Sequence, residues 1–147
     1  MAKKPPTRVG RPPSSNAIDT RQRIISVAAG LFARQGYGIV TNRDVAEAAG
    51  ISTGALYYYF SSKLEMYLAV YWTLQATVDE AIAQAMSSQQ TFDGRFRAIL
   101  EVAHSLNAQQ PHIAQFLGTA RVDRLRHPEL QEAITSPPAK EHASWAS

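Results

Sequence analysis

The chain of 147 residues contains no cysteine, which removes disulfide frameworks and thiolate metal sites from consideration. It has no unbroken apolar run near the roughly 20 residues that a bilayer span requires, so no membrane helix is expected. The basic start "MAKKPPTRVGRPPSS" lacks the apolar stretch that would make it an export signal. Together these absences fit a cytoplasmic protein. No nucleophile elbow, phosphate loop or paired-carboxylate motif is present, so neither an enzyme nor a cofactor is expected. His104, His112, His127 and His142 are too scattered to ligate a metal and are assigned packing or surface roles. Strand-type alternation and internal repeats are also missing, which leaves an all-α protein.

Acidic residues are scarce at one end. Through residue 63 there are nine Lys and Arg against Asp19, Asp44 and Glu47, a net of +6, while the remainder nets −3. A basic amino-terminal part joined to a mildly acidic remainder suits a polyanion-binding module with an appended domain. A solvated tail that aids solubility gives the same imbalance, and charge alone does not separate the two.

Helical signals follow one another along the chain. Residues 1–15 carry four prolines and four basic side chains with Val9 as the only large apolar residue after Met1, a composition expected to be disordered. Ile24, Ala28, Leu31 and Phe32 predict a helix from about 19 to 35, closed by Gly36 in a left-handed cap. In "TNRDVAEAAG" Thr41 and Asp44 form a capping box before Val45, Ala46 and Ala49. Ser52 caps a third helix ending near Tyr59 or Phe60, and Ser62 with Glu65 should box the start of a long fourth one. "SSQQTFDG" reads as a loop, Phe96, Ile99, Leu100 and Ala103 as an amphipathic face, and Pro111 as a break. Residues 112–126 and "HPELQEAI" are predicted helical, followed by a polar, proline-containing end.

The segment from Thr41 to Phe60 is therefore two short helices joined by a tight turn at Gly50, a helix-turn-helix pattern. Ile51 and Leu56 are placed to pin its second helix, leaving Ser52, Thr53, Gly54 and Ala55 facing out. Their small side chains would let helix backbone approach base edges closely. Gly54 has either that reason to be glycine or the lower cost of glycine in a first turn. Arg43 can grip a guanine, clamp a phosphate, or simply be a surface arginine. Lys63 stands at the amino terminus of a long helix, where a cation is unfavourable unless a phosphate is near. In "LYYYF", Leu56 and Phe60 should face the core while the tyrosines fan outward, with Tyr57 and Tyr58 as phosphate-contact candidates.

The run from Thr20 to Tyr71 resembles the DNA-binding domain of the TetR family of bacterial transcriptional regulators. It combines "LFARQGY", "DVAEAAGIS", "GALYYYF" and "SSKLEMY" in that family's order and spacing. The resemblance implies a three-helix head, at residues 16–66 with its helix-turn-helix at about 41–60, and a helical regulatory and dimerisation domain at 67–147. It also implies a double-stranded DNA operator as partner, a homodimer, and a small-molecule effector. Positions like Asn42, Ser52, Tyr57, Tyr58, Tyr59 and Lys63 are then expected at the sugar-phosphate backbone, and those like Arg43, Thr53 and Gly54 at bases. Thr53 stands where the family often has lysine, and Tyr59 where it often has histidine.

Other features are weaker. Arg8 and Arg11 in "RVGRPP" would either enter a minor groove or add nonspecific phosphate affinity. Tyr71, Trp72, Phe92, Phe96 and Phe116 could line an effector cavity or be ordinary core. Family members run on past "TSPPAKEHASWAS", so the second domain is expected to be incomplete, through truncation or a divergent end. The leading expectation is a repressor relieved by an inducer. The alternatives are an interaction module that pairs with an intact relative, or a nonfunctional fragment.

Overall fold

A computed structural model describes residues 13–136, with side chains from residue 17 onward. Among them the chain forms seven helices in the order α1 (Pro13–Gln35), α2 (Asn42–Ala48), α3 (Thr53–Tyr59), α4 (Lys63–Ser87), α5 (Phe92–Gln109), α6 (Pro111–Arg126) and α7 (Pro128–Thr135). No helix among the described residues is long and apolar enough to cross a membrane. Arg8, Arg11 and His142 lie outside the described residues.

Local chemistry accounts for most helix ends. Thr41 and Asp44 make the full capping box at the start of α2. Ser52 caps α3 by accepting from the Ala55 N–H. At α4 only half of the expected box forms: Ser62 accepts from the Glu65 N–H, but the Glu65 carboxylate reaches one residue further back, to the Ser61 N–H at 2.7 Å and hydroxyl at 2.5 Å. Gly36 and Gly50 have φ of 80° and 67°, the left-handed conformation that L side chains resist.

Two boundaries differ from expectation. α1 begins at Pro13, so residues 13–15 belong to a helix and not to a disordered tail; proline fits the first helical position, where its missing N–H and fixed φ cost nothing. The stretch read as a loop before α5 is shorter than expected, because Thr91 accepts from the Gly94 N–H and starts the helix at Phe92. The face expected to be apolar on α5 is also not the packed one. Ala98 is its buried residue, while Phe92, Phe96 and Leu100 are exposed and the two phenylalanines stack on each other. Ile99, Val102 and Leu106 are half-buried beside Ala98, so the packed face runs through Ala98, Val102 and Leu106.

One hydrophobic cluster runs through the molecule. Ile24, Ala28 and Phe32 of α1, Val45 of α2, Leu56 of α3 and Met66, Tyr67 and Val70 of α4 join Phe116 and Ala120 of α6 and Leu130 of α7. The division expected between residues 66 and 67 falls inside α4, between two fully buried side chains. With seven residues each, α2 and α3 are too short to persist alone. They are held by burial of side chains such as Val45, Leu56 and Phe60, each contributing about 1.5–3 kcal/mol.

Candidate nucleic-acid interface

The connection between α1 and α2 is gripped from four sides at Tyr37. Asp123 of α6, only 5% exposed, accepts from the Tyr37 N–H at 2.9 Å and from the Tyr67 hydroxyl at 3.2 Å. The Tyr37 ring meets the rings of Tyr67 and His127 edge-on, at 5.1 and 5.0 Å. The Lys63 ammonium lies 4.5 Å from the centre of that ring and donates to the Tyr37 carbonyl at 2.8 Å. Thr119 of α6 adds a bond from its hydroxyl to the Ala33 carbonyl at the end of α1. Burial, reinforced by the neighbouring Asp123 carboxylate, pushes the Tyr67 phenol far up from its ordinary range, and burial with Glu129 nearby raises that of Tyr37.

This anchorage sets how α2 and α3 are presented. Leu56 and Phe60 enter the core as expected, and Ile51 packs half-buried against it. Facing away are Ser52, Thr53 and Gly54, all exposed, with Ala55 half-buried. A Cβ built at Gly54 would meet only the Ser52 hydroxyl, 4.0 Å away, and its φ is not positive. Neither packing nor backbone conformation requires glycine there.

The tyrosines divide. Tyr57 is 51% exposed and Tyr58 81%, while Tyr59 is half-buried against the core, edge-on to the Tyr58 ring. Arg43 is exposed on α2, and its neighbour Asn42 donates from Nδ2 to the Tyr57 hydroxyl at 3.1 Å. Lys63 is half-buried and already engaged with Tyr37. The structure thus joins Asn42 to the outer side of α3 through Tyr57, leaves Arg43 exposed on the adjoining helix, and draws Tyr59 and Lys63 partly inward.

Comparison with known proteins bears on what this unit is. Residues 24–70 match the model of the bacterial regulatory proteins of the tetR family. Over 102 residues the chain is 30% identical to the uncharacterized HTH-type transcriptional regulator TtgW of Pseudomonas putida, covering 69% of this chain and 76% of that protein. The chain belongs to the TetR family. This TetR-family chain is equally 30% identical, over 102 residues, to the HTH-type transcriptional regulator SrpR of Pseudomonas putida, covering 69% of itself and 48% of SrpR. It therefore spans about half the length of that relative. A solved TetR family transcription regulator from Marinobacter aquaeolei superposes with a TM-score of 0.71 at 19% identity, over 90% of this chain and 65% of that one, a likeness of fold. The TetR family is one of regulatory proteins and not of enzymes.

Sequence reasoning missed the Asp123, Tyr37 and Tyr67 cluster. An aspartate in the middle of "TARVDRLR" reads as a surface residue of a charged helix, and nothing local marks it as buried. Of the five aromatics weighed for an effector cavity, Phe116 is fully buried core, Tyr71 and Trp72 pack edge-on half-buried, and Phe92 and Phe96 lie outside. Among the described residues no three His, Asp or Glu side chains gather as a metal ion would need.

Proposed function

We propose that this TetR-family chain is a sequence-specific regulator that occupies a double-stranded DNA operator through α2 and α3, in the cytoplasm. The observation that carries this reading is the two-sided character of α3. One side is fixed into the core by Leu56, while the other offers Thr53, Gly54, Tyr57 and Tyr58 to an external surface. Small residues at the front of a helix suit the floor of a major groove, and tyrosine hydroxyls beside them suit phosphate oxygens. Arg43 on the adjoining helix adds a two-pronged donor. The +6 net charge through residue 63 supplies attraction that falls as salt rises.

Repression by occlusion of polymerase, relieved by a small-molecule inducer, is the regulatory part of the same proposal. The path for such control is the grip of α6 on the α1–α2 connection through Asp123 and Thr119. A homodimer is proposed as the binding species. The exposed row of Phe92, Phe96 and Leu100 also supports a second reading, in which the chain associates with an intact relative and disables its dimer. Light scattering of the chain alone and mixed with a full-length relative separates self-association from capture.

The operator reading is tested by fluorescence anisotropy on fragments of the source genome at matched salt. Some fragments should bind at least about tenfold tighter than random duplex. Equal affinity for every fragment and for random duplex rejects regulation through an operator.

A further inference from the structure

Asn42 opens α2, half-buried, and its side-chain amide spans the turn to reach α3. Nδ2 donates to the Tyr57 hydroxyl oxygen at 3.1 Å, while Oδ1 is buried with no hydrogen-bond partner. A phenol hydroxyl has one hydrogen to give and lone pairs to accept with. Because the amide N–H occupies a lone pair, the Tyr57 hydrogen is not spent inside the protein on Asn42. The opposite rotation of the amide would reverse this. Oδ1 would then take the phenol hydrogen, and an NH2 group with two donors would be buried in place of one carbonyl.

A carbonyl buried without a protein partner costs free energy, and what the amide gains lies at its other end. Tyr57 is half-exposed, so its ring has freedom that the amide bond removes, and a donor held in place before binding loses less entropy when it meets its acceptor.

We propose that Asn42 is a positioning residue, acting through Tyr57 by holding that hydroxyl as an outward donor to a DNA phosphate, without touching the backbone itself. This rests on the reading of α2 and α3 as a DNA-binding unit. It changes the part that family resemblance implies for Asn42, from a direct backbone contact to the support of one. The contact itself passes to Tyr57, its neighbour across the turn.

The test is a double-mutant cycle on a duplex enriched by the chain from a random-sequence pool, read by fluorescence anisotropy at one salt concentration. Tyr57→Phe removes a hydrogen bond to a charged group and should weaken binding about tenfold. Asn42→Leu should lose most of the same factor, with the hydroxyl still present. The double variant should bind no more weakly than Tyr57→Phe alone, because the second change removes support for a group already gone. Losses that multiply would show that Asn42 makes its own contact and overturn the proposal, as would an Asn42→Leu variant that binds normally. Thermal melts establish that each variant folds, and Asn42→Ala replaces the leucine if that one does not. If Tyr57→Phe binds normally, the role of Tyr57 and with it that of Asn42 is rejected while the DNA reading stands. If no duplex is enriched, the DNA reading itself fails and takes the role of Asn42 with it.

Discussion

A methyl group at position 54 would stand in ordinary contact with the Ser52 hydroxyl and meet no atom packed on its helix from elsewhere in the protein. Alanine is the better helix former by up to about 1 kcal/mol, less in a first turn. Gly54→Ala should therefore leave the urea unfolding midpoint unchanged or raised, while weakening binding to a selected duplex by about tenfold or more, because the added carbon would stand between helix backbone and base edges. A variant that binds as tightly as the parent would place the groove contact elsewhere. The Tyr67 phenol gives a second prediction at this scale. Its value in the fold lies far above the ordinary 10.0, so folding favours the protonated form. The stability this brings is complete below about pH 10 and is lost as pH rises beyond it, where the unfolded chain ionises and the folded chain resists. Tyr67→Phe should flatten the decline of the melting temperature above about pH 10 without abolishing it, since Tyr37 is shifted in the same direction. An identical alkaline slope in the variant would rule out Tyr67 as its source.

At the scale of the helix, what could be read in advance was what is local. Gly36 as a left-handed cap, the Thr41 and Asp44 box, the Ser52 cap and the inward pair Leu56 and Phe60 depend on residues within one or two turns, and each is where the spacing put it. The same locality explains the failures. Which face of α5 packs depends on neighbours far away in sequence, and Ala98 rather than the bulky row turned out to meet them. The Asn42 and Tyr57 bond was likewise hidden, since both residues stood out singly but their meeting is a property of the turn between two helices. The two left-handed glycines now differ in a way the sequence did not show. At Gly50 a Cβ meets nothing within 4 Å, whereas at Gly36 it would come 3.0 Å from the Asp123 carboxylate oxygen. Gly50→Ala should cost about 1 kcal/mol, from backbone strain alone. Gly36→Ala should cost clearly more, because it also disturbs the carboxylate that holds Tyr37 and Tyr67. Equal losses in paired urea titrations would mean that Asp123 yields freely.

For the molecule as a whole, the helix-turn-helix unit is not a separate bead on the chain. Its core continues through Tyr67 into Phe116 and Leu130, and its entry turn is bonded to α6 at Asp123. A change in how α6 lies would reach α2 and α3 through packed side chains and the hydrogen bonds that Tyr37 and Tyr67 give to one carboxylate. The sequence announced the unit through its motif order and its basic charge, because both are written in consecutive residues. It did not announce the shared core, which joins residues as far apart in sequence as Tyr67 and Asp123. The central claim is that the outer side of α3 reads DNA sequence, and selection from a pool of random duplexes tests it most directly. The chain should enrich a defined sequence, as an inverted repeat if it binds as a dimer, and the Thr53→Ala or Gly54→Ala variant should enrich it less sharply. A pool that remains random after repeated rounds, with binding that depends on salt alone, would contradict the account.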